Sequence, residues 1–475
     1  MRRQFKYLFI GVVLITSCDS KLDIKPEDTL VETDVFAEEA LAERALGEAY
    51  LKLVRSTTNT TFTYGDFTTD VAVTNNIEFY NNYIDGNVRP DDQSLSGFWL
   101  DYYSAVNSAN ALVVNIPKYG AYDQNIQDQH IGEAKFIRAF AYLKLLNLFG
   151  EGALTKNMSG LGLPMPLTPF EGYNEKDAVL PRSSVQEVYD QIIKDLEEAA
   201  VAVPESYGTS SSGNLDTRTR ATKGAAYALL SRTYLYMGDY PKAADYAQQV
   251  INLNGIYELD DDLTNLFPNN FPDPQTSISP EYIFGYPFSS NQMGSNNLGF
   301  SYFYKLSIWV NEDFIATYPA GDLRVDQLIF IGDTQYNKQV VAGRRTTVKF
   351  SNPNGRSNVP MLRLAEVILT RAEALARTNG VNQESVDLLN EIYKRANPTA
   401  TDHVLADFGN GQQLVDEILK ERKFELAYEG QTRYDLIRTG RSLKNPNIPE
   451  NYKVLPIPQI DIDIGKGIII QNPGY

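Results

Sequence analysis

The sequence predicts a mostly α-helical protein in which four irregular helix pairs pack against a loop-rich region with small β elements. The expectation rests on a clear helix–turn–helix unit at 223–255, on weaker copies of its spacing, and on long stretches between them without helical period. One pair cannot bury its own apolar face, so about three or more are needed for a stable stack. Apolar residues make up 43% of the 475 positions, enough for the core of such a stack.

The chain opens on "MRRQFKYLFIGVVLITSCDSK". Arg2, Arg3 and Lys6 precede an apolar run from Tyr7 to Ile15 that only Gly11 interrupts, and the small residues Thr16 and Ser17 stand before Cys18. The run is shorter than the ~20 residues a spanning helix needs, so residues 1–17 are expected to be a secretory signal. Cys18 is the sole cysteine, so it can form no intramolecular disulfide and no thiolate metal cage. Its place after the small pair resembles a bacterial lipoprotein signal, with the thiol acylated (palmitate) and the mature chain starting there. The alternative is an ordinary signal with an incidental cysteine. Residues 18–475 are expected to be one domain outside the cytoplasm, and no later stretch is long and apolar enough to span a bilayer.

The first pair is expected at about 37–116, from "AEEALAERALGEAYLKLV" (37–54) and "FWLDYYSAVNSANALVVNI" (98–116). Residues 57–97 between them, rich in Asn, Asp, Thr and Tyr, read as a loop. The second pair, 131–203, joins "IGEAKFIRAFAYLKLLNLFG" to "SSVQEVYDQIIKDLEEAAVAV", whose Ser183 and Ser184 are candidate N-caps. The third, 221–255, follows the tetratricopeptide pattern. Tyr227, Leu230, Ser231 and Tyr234 take the first helix's positions, Gly238-Asp239-Tyr240 makes the turn, and Ala243 takes the small position of the second helix. Ala247 and Gly255 depart from the expected aromatic and proline. The fourth pair, 361–398, has helical period on both sides of Gly380. A second loop is expected at about 254–320, and 322–350 carries β-rich runs such as "QLIFIG" and "TTVKF". Loops this long inside a folded chain usually carry function.

The blocks "CDSKLDIKPED", "FWLDYYSAVNSAN", "EAKFIRAFAYLKLLNLFG", "PRSSVQEVYDQIIKDLEEA", "MLRLAEVILTRAEALA", "ILKERKFELAYEGQTRYDLIRTG" and "VLPIPQIDIDIGKGIIIQNPGY" occur in this order from Cys18 to Tyr475. In this the chain resembles the SusD/RagB family of outer-membrane nutrient-binding lipoproteins. The resemblance implies a SusD-like fold of four irregular tetratricopeptide-type pairs on a loop-rich region. It also implies a non-catalytic, surface-exposed lipoprotein, lipid-anchored in the outer membrane, that captures oligo- or polysaccharide. Such proteins deliver the ligand to a SusC-like TonB-dependent transporter. Some relatives capture peptides instead.

A formal net charge of −17, three units more negative without Arg2, Arg3 and Lys6, repels phosphate backbones and makes nucleic acid a poor partner. His130 and His403 are the only histidines and sit in no metal-ligand spacing. There is no GxSxG elbow and no Walker-type loop, so neither a metal, a cofactor nor a catalytic residue is expected. "ELDDDL" (258–263) lacks an EF-hand's spaced ligands and reads as a solvated turn. Glu421, Glu425 and Glu429 recur every four residues and would lie along one helix face. They raise the alternative of a two-carboxylate glycosidase. The structural reading pairs them with Arg422, Lys423, Arg433 or Arg438.

Sugar capture needs aromatic faces beside amides and carboxylates. The composition of 30 Tyr and 22 Phe but only 2 Trp supplies them. Trp99 has Tyr102 and Tyr103 at core spacing, which leaves Trp309, at the end of "GFSYFYKLSIW", as the better candidate; a partly buried strand is the competing reading there. "NNIEFYNNYIDGNVRPDD" (75–92) is the second candidate region. The expected glycan-binding residues are Trp309, Tyr80 and Tyr83, followed by Tyr302, Asn82 and Asp85, with Tyr64 structural.

Overall fold

A computed structural model describes residues 32–475, apart from 75–76, 171, 173–178, 268–277, 287–307, 332–344, 348 and 350–357. Cys18 and Tyr302 lie outside the described residues. The first nine helices are α1 (Glu32–Ala37), α2 (Glu39–Phe67), α3 (Ile77–Ile84), α4 (Gln93–Tyr119), α5 (Gln124–Phe149), α6 (Val185–Ala202), α7 (Ser211–Thr219), α8 (Lys223–Met237) and α9 (Tyr240–Ile251). The helices Leu364–Asn379, Gln383–Ala396, Gly411–Glu425 and Thr432–Arg438 complete the scaffold. No helix among the described residues is long and apolar enough to cross a membrane.

Four helix pairs of the stack are α2 with α4, α5 with α6, α8 with α9, and Leu364–Asn379 with Gln383–Ala396; α4 also packs on α5, and α9 on Leu364–Asn379. In the third, Gly238 ends α8 with φ 82°, where a residue with a Cβ would be strained, and Asp239 caps α9 at the Lys242 amide, 3.2 Å. Ser231 Oγ donates to Ala243 O at 2.9 Å, a contact only small residues at both positions allow. Ala243 and Ala247 are fully buried in that seam. In the second pair Ser184 caps α6 with a capping box: its Oγ accepts from the Glu187 amide at 3.2 Å, and Glu187 Oε2 accepts from the Ser184 amide at 2.7 Å.

The stretch 57–97 differs from a plain loop. α2 continues to Phe67 and α3 follows, because Tyr64 and Phe67, one turn apart, are both buried and packing overrides a threonine-rich run. Gly65 sits where α2 meets the turn at Gly430; a Cβ there would stand 2.5 Å from the Gly430 carbonyl oxygen.

Buried charges tie the pairs together. Arg138 on α5 donates to both Asp195 oxygens on α6 (2.8 and 2.7 Å) and to Asn110 Oδ1 on α4 (2.8 Å). Glu373 accepts two bonds from Arg438, both 2.7 Å, and one from Arg377 at 2.8 Å. Burial alone raises the Glu373 pKa, but Arg438, backed by Arg377 and Arg422, holds it down at about 2. Lys144 lies over the rings of Phe140 and Tyr434 (5.8 and 5.2 Å), and burial, with Arg232 adding to it, pushes its pKa well down.

Among the described residues, eight short strands form four two-stranded antiparallel sheets. They are β1 (Ala72–Thr74) with β5 (Ile308–Val310), β2 (Leu161–Pro164) with β3 (Arg182–Ser184), β4 (Tyr282–Tyr286) with β8 (Val359–Arg363), and β6 (Ile329–Ile331) with β7 (Arg345–Thr347). The last pair comes from the runs that read as β-rich. The first joins the two stretches expected to bind ligand.

Candidate functional site

The β1–β5 pair is the geometric centre of the candidate site. Its register sets Val73 opposite Trp309, with Ala72 against Val310 and Thr74 against Ile308. Strand alternation turns Ile308 and Val310 into the core, both at most 1% exposed, and leaves Trp309 half-buried between them. Trp309 is therefore both a strand residue and one that reaches the surface, so the two readings of it are compatible. Beyond the strand, Asn311 fastens the pair: its amide donates to Val71 O at 3.1 Å and its side chain to Asp70 O at 2.8 Å.

β1 leads within three residues into α3, whose two sides differ. Asn82 is exposed on α3, as is Asp85 just after its end. Asp85 accepts from Asn445 Nδ2 at 3.1 Å. Tyr80 and Tyr83 are core residues instead, 2% and 4% exposed. The Tyr80 ring packs 4.4 Å from that of Phe67, and Tyr83 lies 5.8 Å from Tyr64. Tyr83 Oη donates to Asp92, the N-cap of α4, at 2.9 Å. Burial raises both phenol pKa values, with Asp92 adding to the rise at Tyr83. Their faces are thus spent on packing. Among the described side chains of α3 and its C-terminal end, the exposed ones are the amides of Asn81 and Asn82 and the carboxylate of Asp85. Tyr64 and Trp99 are buried as well, Trp99 against Phe149 at 4.9 Å.

Side chains from far along the chain border the strand pair, and no local signal marks them. Lys444 Nζ donates to Ala72 O at 2.9 Å. Lys423 pairs with Asp70 at 2.5 Å. Glu312, two residues past β5, pairs with Arg345 at the start of β7, and β7 lies against β5. Of these paired side chains, Asp70 and Glu312 belong to the two stretches expected to bind ligand, while Lys423, Lys444 and Arg345 do not.

The three glutamates do not form an acid/base site. Their helix ends at Glu425, so Glu429 lies beyond it, after Tyr428 at φ 67°. Nor are their partners Arg422, Lys423, Arg433 or Arg438. Glu421 pairs with Arg324 at 2.6 Å. Glu425 pairs with Arg363 and Arg395, both 2.6 Å, and with Arg324 at 3.1 Å. Glu429 takes Lys349 at 2.7 Å and Arg363 at 2.8 Å. The cause is distance along the chain: Arg324 and Arg395 come from two other helices, Arg363 from β8 and Lys349 from a turn, so a sequence offers no spacing to read. All three glutamates are at most 5% exposed. Burial raises Glu425, yet Arg395, Arg363 and Arg324 outweigh it and hold the carboxyl far below its usual range; at Glu421 burial prevails over Arg324 and the pKa rises. Carboxylates bound to this many cations in a closed core meet no substrate; they clamp the scaffold.

Among the described residues no group of three or more His, Cys, Asp or Glu is placed to hold a metal ion. In "ELDDDL", Asp262 caps a short helix at the Thr264 amide (2.8 Å), and Asp260 accepts from Ser279 Oγ (2.9 Å), 19 residues further along the chain.

Comparison with known proteins gives concordant results. Residues 21–235 match a family described as starch-binding, associating with outer membrane, and residues 333–453 match the SusD family. SusD-like protein P2 of Formosa agariphila is 26% identical over the whole of both chains. Starch-binding protein SusD of Bacteroides thetaiotaomicron is 25% identical over 72% of each. Among solved structures, a SusD superfamily protein from Bacteroides thetaiotaomicron superposes with a TM-score of 0.76 at 24% identity, covering 92% of this chain and 100% of its own. A laminarin-binding SusD-like protein gives 0.73 at 23% identity with the same coverage.

Proposed function

Since the chain belongs to the SusD/RagB family of carbohydrate-binding proteins, we propose that it is a non-catalytic cell-surface lipoprotein that captures oligo- or polysaccharide and delivers it to a SusC-like TonB-dependent transporter. Cys18 is its lipid attachment site and the outer membrane its location. The capture surface is the outer side of the β1–β5 pair with the exposed end of α3. Trp309 supplies the stacking face, and Asn82 and Asp85 supply hydrogen-bonding groups.

The observation that carries this reading is the strand pairing itself. It joins the stretch that carries a half-buried tryptophan to the stretch that carries the exposed amides and carboxylate of α3, more than 200 residues apart, a composition suited to the apolar face and hydroxyl rim of a sugar ring. Support also comes from the SusD-like neighbour described as laminarin-binding. The burial and pairing of Glu421, Glu425 and Glu429 speak against the glycosidase alternative. Peptide capture on the same scaffold is the second reading, and the pairing of the bordering cations makes it the weaker one, since a peptide binder would present free charge.

The test is calorimetric titration of the chain from Asp19 onward with a glycan panel and a peptide mixture, followed by analysis for cleavage products. Binding of a glycan without products, lost in Trp309→Ala, is the expected result. Products would make the protein an enzyme, and binding of peptides alone would favour the second reading.

A further inference from the structure

Resting on the capture reading above, we infer that the ligand is an uncharged glycan. The Asp70–Lys423 and Glu312–Arg345 pairs set this specificity by occupying cations that would otherwise face it. Recognition of a uronate or a sulfate ester calls for a cationic donor, most often the two-pronged guanidinium of arginine. The described cations bordering the strand pair are Lys423, Arg345 and Lys444. Each is engaged: Lys423 with the Asp70 carboxylate at 2.5 Å, Arg345 with Glu312, and Lys444 with the Ala72 carbonyl at 2.9 Å.

The pairs are built into the strand ends. Asp70 stands two residues before β1 and its carbonyl is held by Asn311, while Glu312 stands two residues after β5. The same register that leaves Trp309 half-buried therefore places a carboxylate against Lys423 and Arg345 and the Ala72 carbonyl against Lys444. Asp85 and Asp313 add exposed negative charge near by. On a chain of net charge −17, such a face repels polyanions, while sugar hydroxyls can donate to the carboxylates and accept from the Asn82 amide.

The full-length chain in mild detergent is titrated with neutral glycans (laminarin, a maltooligosaccharide, a mannan) and anionic ones (alginate, polygalacturonate, a sulfated galactan). The expected result is binding of a neutral glycan with every anionic one at least ~10-fold weaker. Glu312→Gln frees Arg345 and should raise affinity for an anionic glycan by about 5-fold at low salt, a gain screened away near 0.5 M salt. Adding Arg345→Met should abolish the gain, with thermal melts of each variant reporting that the fold is kept. Anionic glycans binding the parent chain as tightly as neutral ones would overturn the inference and leave the capture reading standing. So would an anionic affinity unmoved by Glu312→Gln. Binding of peptides and of no glycan would overturn the capture reading, and the inference with it.

Discussion

Glu373→Gln probes the buried charge that locks the last helices to the stack. The Glu373 carboxyl accepts from Arg438 through both oxygens and from Arg377 through one, and its pKa falls from 4.5 to about 2. A carboxyl whose folded pKa lies below its unfolded value stabilises the fold above the unfolded pKa, and that stability drains away as pH falls through the folded one. The depression from 4.5 to about 2 corresponds to about 3 kcal/mol at pH 7, shrinking to about half of that at pH 3. Glutamine keeps the shape but carries no charge, so the variant should resemble the protonated wild type. Urea unfolding should place the two midpoints about 1 M apart at pH 7, taking a slope of about 3 kcal/mol/M. The gap should close steadily between pH 4.5 and pH 2. Taking the difference between the two chains cancels the acid sensitivity they share. A gap that stays constant with pH, or one under about 1 kcal/mol at pH 7, would refute the reasoning.

Trp309→Ala should weaken glycan binding at least ~10-fold by calorimetry with the melting temperature nearly unchanged, because the side chain is only half-buried. Tyr83→Phe should do the reverse, costing about 1 kcal/mol in unfolding experiments through its lost bond to Asp92 while leaving glycan affinity intact. Gly65→Ala should destabilise by about 1–3 kcal/mol, since the new methyl group collides with the Gly430 backbone, which has nowhere to yield. Lys144→Met should stabilise the protein at pH 7. The lysine's folded pKa is depressed, so the unfolded chain holds the extra proton, and the advantage should fade as pH rises towards 10.5.

The parts of the fold legible in the sequence are those fixed by neighbours a turn or two away. Tyr227, Leu230 and Ser231 announce their helix, Gly238 its end, and Ser184 the start of α6, because each acts within four residues. The site was less legible for a matching reason. Aromatics among amides resemble a sugar platform, yet the three-residue spacing of Tyr80 and Tyr83 turns both rings to the same buried side of α3, where Phe67 and Tyr64 already wait. Spacing alone cannot say which side of a short helix the core will claim. Partners of the glutamate block were illegible altogether: Arg324 and Arg363 lie 97 and 62 residues from the carboxylates they bind.

The β1–β5 pair has one more consequence. Three residues on each side, pinned by Asn311, act as a clasp between two insertions that leave the repeat stack at different points. Lengthening a flexible insertion is cheap, since doubling it adds only about 0.6 kcal/mol of closure entropy. Behind such a clasp the segment ahead of β5 can grow, shrink or change residue, whereas α3 after β1 stays tied to α2 and α4 through Tyr80 and Tyr83. The molecule thereby keeps the helical frame apart from an insertion that is free to vary.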